Sequence, residues 1–209
     1  MIDSKNQTIQ DFLNQTASNK PVPGGGSISA LNGAIATALA EMLAGLTIGK
    51  KKYVEVEDKM KETVDEMGQQ RELFFADIDR DAGAYKTVMD AFKLPKETDE
   101  QKASRFNQIQ EATKYAALIP MEIAQRAFDM LDEIEYTTRN GNSNAVTDGC
   151  ISMMTCRTAV LGALLNVRIN LGSIKDADFV KDLENRCNTM EVEAMRKEQG
   201  LYDWVKSTL

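Results

Sequence analysis

Apolar positions in this chain recur at intervals of three and four over long distances, and no stretch alternates with the period of two expected of a half-buried strand. The first such run, TIQDFLNQTA over residues 8–17, puts Ile9, Phe12, Leu13 and Thr16 on one face of a short amphipathic helix. Residues 54–92 read as one very long helix, with Met60, Met67, Phe74, Ile78, Ala82, Tyr85 and Val88 at bundle spacing. A second long helix is expected over 100–138, kinked at Pro120, and residues 176–205 close the chain amphipathically. Residues 27–48 and 144–171 differ from these because they are apolar or small on nearly every side. Four breaks separate the helices: NKPVPGGG at 19–26, GKKK at 49–52, KLPKET at 93–98 and RNGN at 139–142. Ser27 is the expected N-cap of one apolar helix, and Ser143 or Asn144 the start of the other.

The predicted fold is therefore all-α: an up-and-down bundle of long, mostly antiparallel helices with the two apolar helices innermost. No linker or internal repeat divides the chain, so residues 1–209 are expected to form a single domain. Two helices this apolar are more than a small bundle needs to fill its core. One of them is expected to cover a second copy of the chain, in a homodimer.

Composition narrows the function. A net charge of −7 speaks against a general nucleic-acid binder, so an anionic ligand would need a local basic cluster. Residues 28–48 are long enough to span a bilayer, but Glu41 in that run favours a core helix over a membrane span. The opening Met1-Ile2-Asp3-Ser4-Lys5 carries no leader pattern, and Cys150, Cys156 and Cys187 lack C-x-x-C spacing, so a cytoplasmic setting is expected. The chain has no histidine at all. This excludes Ser–His and Cys–His mechanisms and most zinc sites, leaving acid–base work to Asp, Glu, Lys, Tyr, Cys or the substrate.

Five segments could carry chemistry. Gly24, Gly25, Gly26 and Ser27 lead into a helix start, where backbone N–H groups attract oxygen; a tight inter-helix turn explains them equally well. Lys50, Lys51 and Lys52 close the same helix and could grip carboxylates, although cations also complement a helix C-terminus. Asp77, Asp79 and Asp81 form an acidic patch with Tyr85. Asp77 and Asp79 are expected to face solvent, while Asp81 and Tyr85 share the core side. Asn144 and Asp148 lie four apart at the start of the second apolar helix, where a carboxylate needs a partner or a purpose. Asn166 and Asn170 share a face further along, with hydrogen bonding between helices the default reading.

These segments resemble a known family. PVPGGGS at 21–27, LTIGKKKY at 46–53, KLPK at 93–96, GNSNAVTD at 141–148 and ALLNVRINL at 163–171 are together similar to the cyclodeaminase/cyclohydrolase family, in order over nearly the whole chain. The resemblance implies an all-helical, dimeric enzyme that uses no metal and no cofactor beyond tetrahydrofolate as the substrate carrier. It implies one of two reactions: closing 5-formiminotetrahydrofolate to 5,10-methenyltetrahydrofolate with loss of ammonia, or opening the methenyl compound to 10-formyltetrahydrofolate with water. The first is the leading expectation, and a non-catalytic folate-binding helical dimer is a further alternative. With no histidine available, proton transfer is assigned to Asp148, with Lys50 second. Asn144, Ser27 and the amides at 24–26 would orient the substrate, together with Asp81 and Tyr85. Lys51 and Lys52 would hold a glutamate tail of one or several residues.

Overall fold

Small residues determine how closely helices can approach, and here they are concentrated in the two apolar segments. The computed structural model describes residues 7–209, so the expectation about Met1 to Lys5 lies outside the described residues. Within that range the chain forms seven α-helices: α1 (Ile9–Thr16), α2 (Gly25–Thr47), α3 (Glu57–Phe92), α4 (Asp99–Asp129), α5 (Leu131–Asn140), α6 (Val146–Leu171) and α7 (Ala177–Thr208). Two 3-10 turns, Lys51–Val56 and Ser143–Ala145, precede α3 and α6. No strand occurs among the described residues, and the architecture is the expected all-α bundle.

Helices α2 and α6 run antiparallel in close contact. Gly25 at the start of α2 lies against Asn166 near the end of α6, Gly162 lies against Ser29, and Gly149 lies against Leu43. Midway, the Ser152 hydroxyl donates to the Ala36 carbonyl at 2.7 Å, so a polar group buried in the contact is satisfied. Helix α3 packs on another side of α2, and α4 and α7 cover α6. Phe74, Met67, Ile119, Ile123, Met153 and Leu164 fill the space between these layers and are fully buried. Glu41, the charge in the apolar run, is ion-paired with Arg71 of α3.

Both apolar helices are long and apolar enough to cross a membrane by composition, yet only half of each is covered by its neighbours. Ile35, Met42 and Leu46 of α2 and Ile151, Met154, Leu165 and Ile169 of α6 remain exposed, at the spacing of one helix face each. The two helices are thus central in the packing, but they also form an outer wall.

Several local expectations are corrected. Ser27 is not an N-cap: the glycines are themselves helical, Gly24 caps α2, and buried Ser27 turns its hydroxyl toward α3. The second long helix passes through Pro120 and breaks ten residues later, at Met130. There the amide N–H bonds to Ala127 three residues back at 3.3 Å, which tightens the turn before α5 begins. Asn142, rather than Ser143 or Asn144, supplies the capping side chain ahead of α6 by accepting the Asn144 N–H at 3.1 Å.

Asp77 departs most from its expected place. It is only 1% exposed, held by Arg80 at 2.6 Å and by Arg126 of α4 at 3.2 Å. Sequence periodicity could not reveal the arginine arriving from another helix. Removing one member of a buried pair strands the charge of the other. Asp77→Ala is therefore expected to lower unfolding stability by about 3 kcal/mol in urea titration. A loss below a few tenths of a kcal/mol would show that the two arginines reach water without it.

Candidate active site

Helix α2 starts with glycines, and its N-cap residue Gly24 offers no side chain to the first-turn amides. This leaves the helix start open for close approach. Asp81 approaches it from α3: a Cβ added at Gly26 would lie 2.0 Å from Asp81 Oδ1. No other residue fits there without displacing the carboxylate. Ser27 fixes the position by donating its hydroxyl to Asp81 Oδ2 at 2.9 Å while also lying 3.1 Å from the Ile78 carbonyl. Burial pushes the Asp81 carboxyl above the usual carboxylate range, and the Ser27 hydroxyl and amide offset only part of that rise.

The far wall comes from the last turns of α6. Asn170 donates its side-chain amide to the Ala116 carbonyl of α4 at 3.0 Å and to the Asn166 carbonyl at 2.8 Å. Asn166 in turn donates to the Gly162 carbonyl at 2.8 Å. With both amide nitrogens engaged, each side-chain oxygen remains available as an acceptor. The enclosed cleft holds about 330 Å³, with Tyr85, Val88 and Ala84 along one side and Pro21 and Val22 at the mouth. Ile169, 78% exposed, forms part of its rim and also belongs to the apolar outer wall. Among the described residues no lysine or arginine lines the cleft.

The other predicted residues lie elsewhere. Two residues beyond the end of α2 comes Gly49, whose φ of +75° suits a residue without a Cβ, and lysines 50–52 follow, all exposed. The Thr47 hydroxyl accepts the Asn142 N–H at 2.8 Å, and the Asn142 side chain donates to the Leu46 carbonyl at 3.0 Å, binding this end of α2 to the turn before α6. The Tyr53 hydroxyl accepts the Ser143 N–H at 3.0 Å and meets the Ser143 hydroxyl at 3.2 Å. These bonds, with Lys52 5.1 Å from the ring centre, lower the Tyr53 pKa to about 8. Arg139 stacks over Trp204 at 4.7 Å, and the cavity among these groups holds about 400 Å³.

Asn144 and Asp148 lie at this end of α2 but are not among the residues lining that cavity. Asn144 is exposed and Asp148 half-exposed, without the apolar burial expected for it. The structure thus divides the predicted site. Glycines 24–26, Ser27, Asp81 and Tyr85 gather at one end of α2; lysines 50–52, Asn144 and Asp148 gather at the other. Along a 23-residue helix the separation is roughly 33 Å. Asn166 and Asn170 read from sequence as structural hydrogen bonding between helices; Asn170 does bond across to α4, Asn166 bonds to Gly162 within α6, and both also line the cleft. Their four-residue spacing was the available signal; α4 and the glycine loop beside them were not visible in it.

A carboxyl whose pKa is raised by burial, beside backbone amides and two amide oxygens, is equipped to exchange a proton with a bound ligand. It also suits a cationic reacting centre, since nothing else in the cleft carries charge. Because the folded-state pKa is raised, ionising Asp81 costs stability, increasingly as pH climbs from its unfolded value through its folded one. Ser27→Ala removes a bond to the charged form, so the Asp81 pKa is expected to rise further in a carboxyl NMR titration. An unchanged or lower value would contradict the assignment of that bond.

Similarity to known proteins agrees with this geometry. The formiminotransferase-cyclodeaminase family matches residues 8–189. A methenyltetrahydrofolate cyclohydrolase from Methylorubrum extorquens is 36% identical over 202 residues, 97% of this chain and 97% of that one. The formimidoyltransferase-cyclodeaminase of Mus musculus is 26% identical over 90% of this chain, which spans 35% of that longer protein. The crystal structure of a formiminotetrahydrofolate cyclodeaminase from Thermotoga maritima superposes with a TM-score of 0.83 at 31% identity, covering 98% of this chain and 96% of that one.

Proposed function

Because the chain belongs to the formiminotransferase-cyclodeaminase family, we propose that it is a folate enzyme acting on the one-carbon unit between N5 and N10 of tetrahydrofolate, with the Asp81 cleft as its reaction site. The observation that carries this reading is a carboxyl with a raised pKa, fixed by Ser27 in a cleft without other charge.

The leading reaction is cyclodeamination. N10 attacks the carbon of the protonated formimino group, which becomes tetrahedral and bonded to both N5 and N10. Asp81 takes the N10 proton and gives it to the departing nitrogen, which leaves as ammonia; the carbon retains the positive charge as the methenyl bridge. The ionised carboxylate faces that charge before and after the transfer. Cyclohydrolysis is the second reading, favoured by the relative of that name at 36% identity over nearly full length. Water then adds to the methenyl carbon as Asp81 takes one of its protons and passes it to the departing N5; the remaining hydroxyl proton is released to solvent as the carbonyl of 10-formyltetrahydrofolate forms. Both reactions share one tetrahedral carbon, so one cleft serves either. Asn166, Asn170 and the first-turn amides of α2 orient the ring system. Tetrahydrofolate is the only carrier the proposal requires.

The glutamate tail, with one or several residues, is assigned to the basic cluster at lysines 50–52. The enzyme is further proposed to be a homodimer in a reducing cytoplasm, where three buried, unpaired cysteines are at home. The paired faces are the exposed apolar stripes of α2 and α6. Two adjacent helices of this length offer roughly 700 Å² per copy, so a pair buries about 1,400 Å², within the range of stable interfaces.

The test is to offer 5-formimino- and 5,10-methenyltetrahydrofolate separately, following methenyl absorbance and released ammonia. Asp81→Asn is expected to fold, to melt no lower than wild type at pH 7 because a costly buried charge is gone, and to lose about 10²-fold or more in turnover. A wild-type protein that binds folate but turns over neither compound would leave the non-catalytic binding reading. A fully active Asn variant would remove Asp81 from the reaction.

A further inference from the structure

We propose that Pro120 is a positioning residue for the cleft: having no N–H to give the Ala116 carbonyl, it leaves that carbonyl to Asn170 and so fixes the Asn170 side chain with its oxygen toward the ligand. The inference rests on the folate reading above. It adds the chemistry that the α6 side of the cleft recognises, an N–H donor on the ligand's ring system.

A proline inside a helix costs stability, and this one sits where the lost bond is reused. Of the four prolines, Pro21, Pro23 and Pro95 lie between helices, and Pro120 alone lies within one. It has no N–H for the carbonyl four residues back, which belongs to Ala116. The helix nevertheless runs on to Asp129. Ala116 and Pro120 are both buried, so the missing partner has to come from the protein.

It comes from α6. Asn170 Nδ2 donates to the Ala116 carbonyl at 3.0 Å, across 54 residues of chain. Asn166 differs in this respect. Its side chain donates to the Gly162 carbonyl four residues back in its own helix, a position that the backbone of an α-helix already fills. Only the bond from Asn170 supplies a carbonyl that its own helix cannot.

The open carbonyl also decides which way the amide points. Both hydrogens of Asn170 Nδ2 are taken, by Ala116 at 3.0 Å and by the Asn166 carbonyl at 2.8 Å. Turning the amide over would set its oxygen against two carbonyl oxygens. Asn170 Oδ1 is therefore held as an acceptor, and Asn170 and Ala116 both line the cleft that contains Asp81. A ligand group that meets this oxygen must bring a hydrogen. A ring N–H or amino group satisfies it, whereas a carbonyl oxygen in the same place is repelled. The reduced ring system of tetrahydrofolate carries such N–H groups.

Two measurements test this. The first is a double-mutant cycle read by melting temperature. In the natural chain, Asn170→Ala is expected to lower the melting temperature by roughly 3 °C or more, because the Ala116 carbonyl is left without a partner. In a Pro120→Ala background the restored backbone N–H takes that carbonyl, and the same change is expected to cost less than about half as much. Equal losses in the two backgrounds overturn the proposal, since the two residues then act independently. The second measurement is kinetic. Pro120→Ala and Pro120→Ser both restore the N–H and loosen Asn170 from its anchor. Each is expected to raise KM at least about threefold while kcat stays within about twofold. A proline that served the helix alone would move the melting temperature and leave KM unchanged, and that result overturns the proposal. Wild-type turnover of neither folate would instead count against the folate reading, and the melting cycle then judges the coupling of Pro120 to Asn170 by itself.

Discussion

The close antiparallel contact of α2 with α6 is the constraint on which the rest of the structure depends. It is possible because Gly25, Ser29, Ala36, Gly149 and Gly162 present little side chain between the two backbones. Once the helices lie together, the start of α2 must meet the end of α6, and the end of α2 must meet the turn before α6. Each pairing creates a cleft: one with Asp81, Asn166 and Asn170, the other with Tyr53, Arg139 and Trp204. Both helices are also left with one apolar side uncovered, because α3, α4 and α7 surround the pair from the remaining directions. Packing, clefts and exposed wall thus share a single origin.

Much of the fold was legible in the chain because its signals are local. Period and composition identified the long helices, and the breaks at 19–26, 49–52, 93–98 and 139–142 fall where helices end. The errors occur where a distant residue decides. Ser27 reads as a cap until Asp81 arrives from α3, 54 residues away. Asp77 reads as solvated until Arg126 reaches it from α4. Pro120 is the expected irregularity of its stretch, yet the helix ends ten residues later at Met130, an unremarkable residue from sequence alone.

The candidate site was legible as a set of residues but not as an arrangement. Asp148 sits one turn from Asn144 and Asp81 one turn from Tyr85, and nothing in their neighbourhoods along the chain ranks one above the other. Burial does. Asp81 is enclosed by α2 and its carboxyl is pushed upward, whereas Asp148 is half-exposed on the first turn of α6. The lysines keep their proposed role in holding carboxylates, but the length of α2 removes them from the cleft of their own chain.

The central claim is that the one-carbon unit reacts beside Asp81 at the start of α2. A crystal structure with a bound 5-formyltetrahydrofolate tests it most directly. The account predicts the N5–N10 edge within hydrogen-bond reach of Asp81. A folate with its N5–N10 edge beside Asp148 and away from any Asp81 would contradict it.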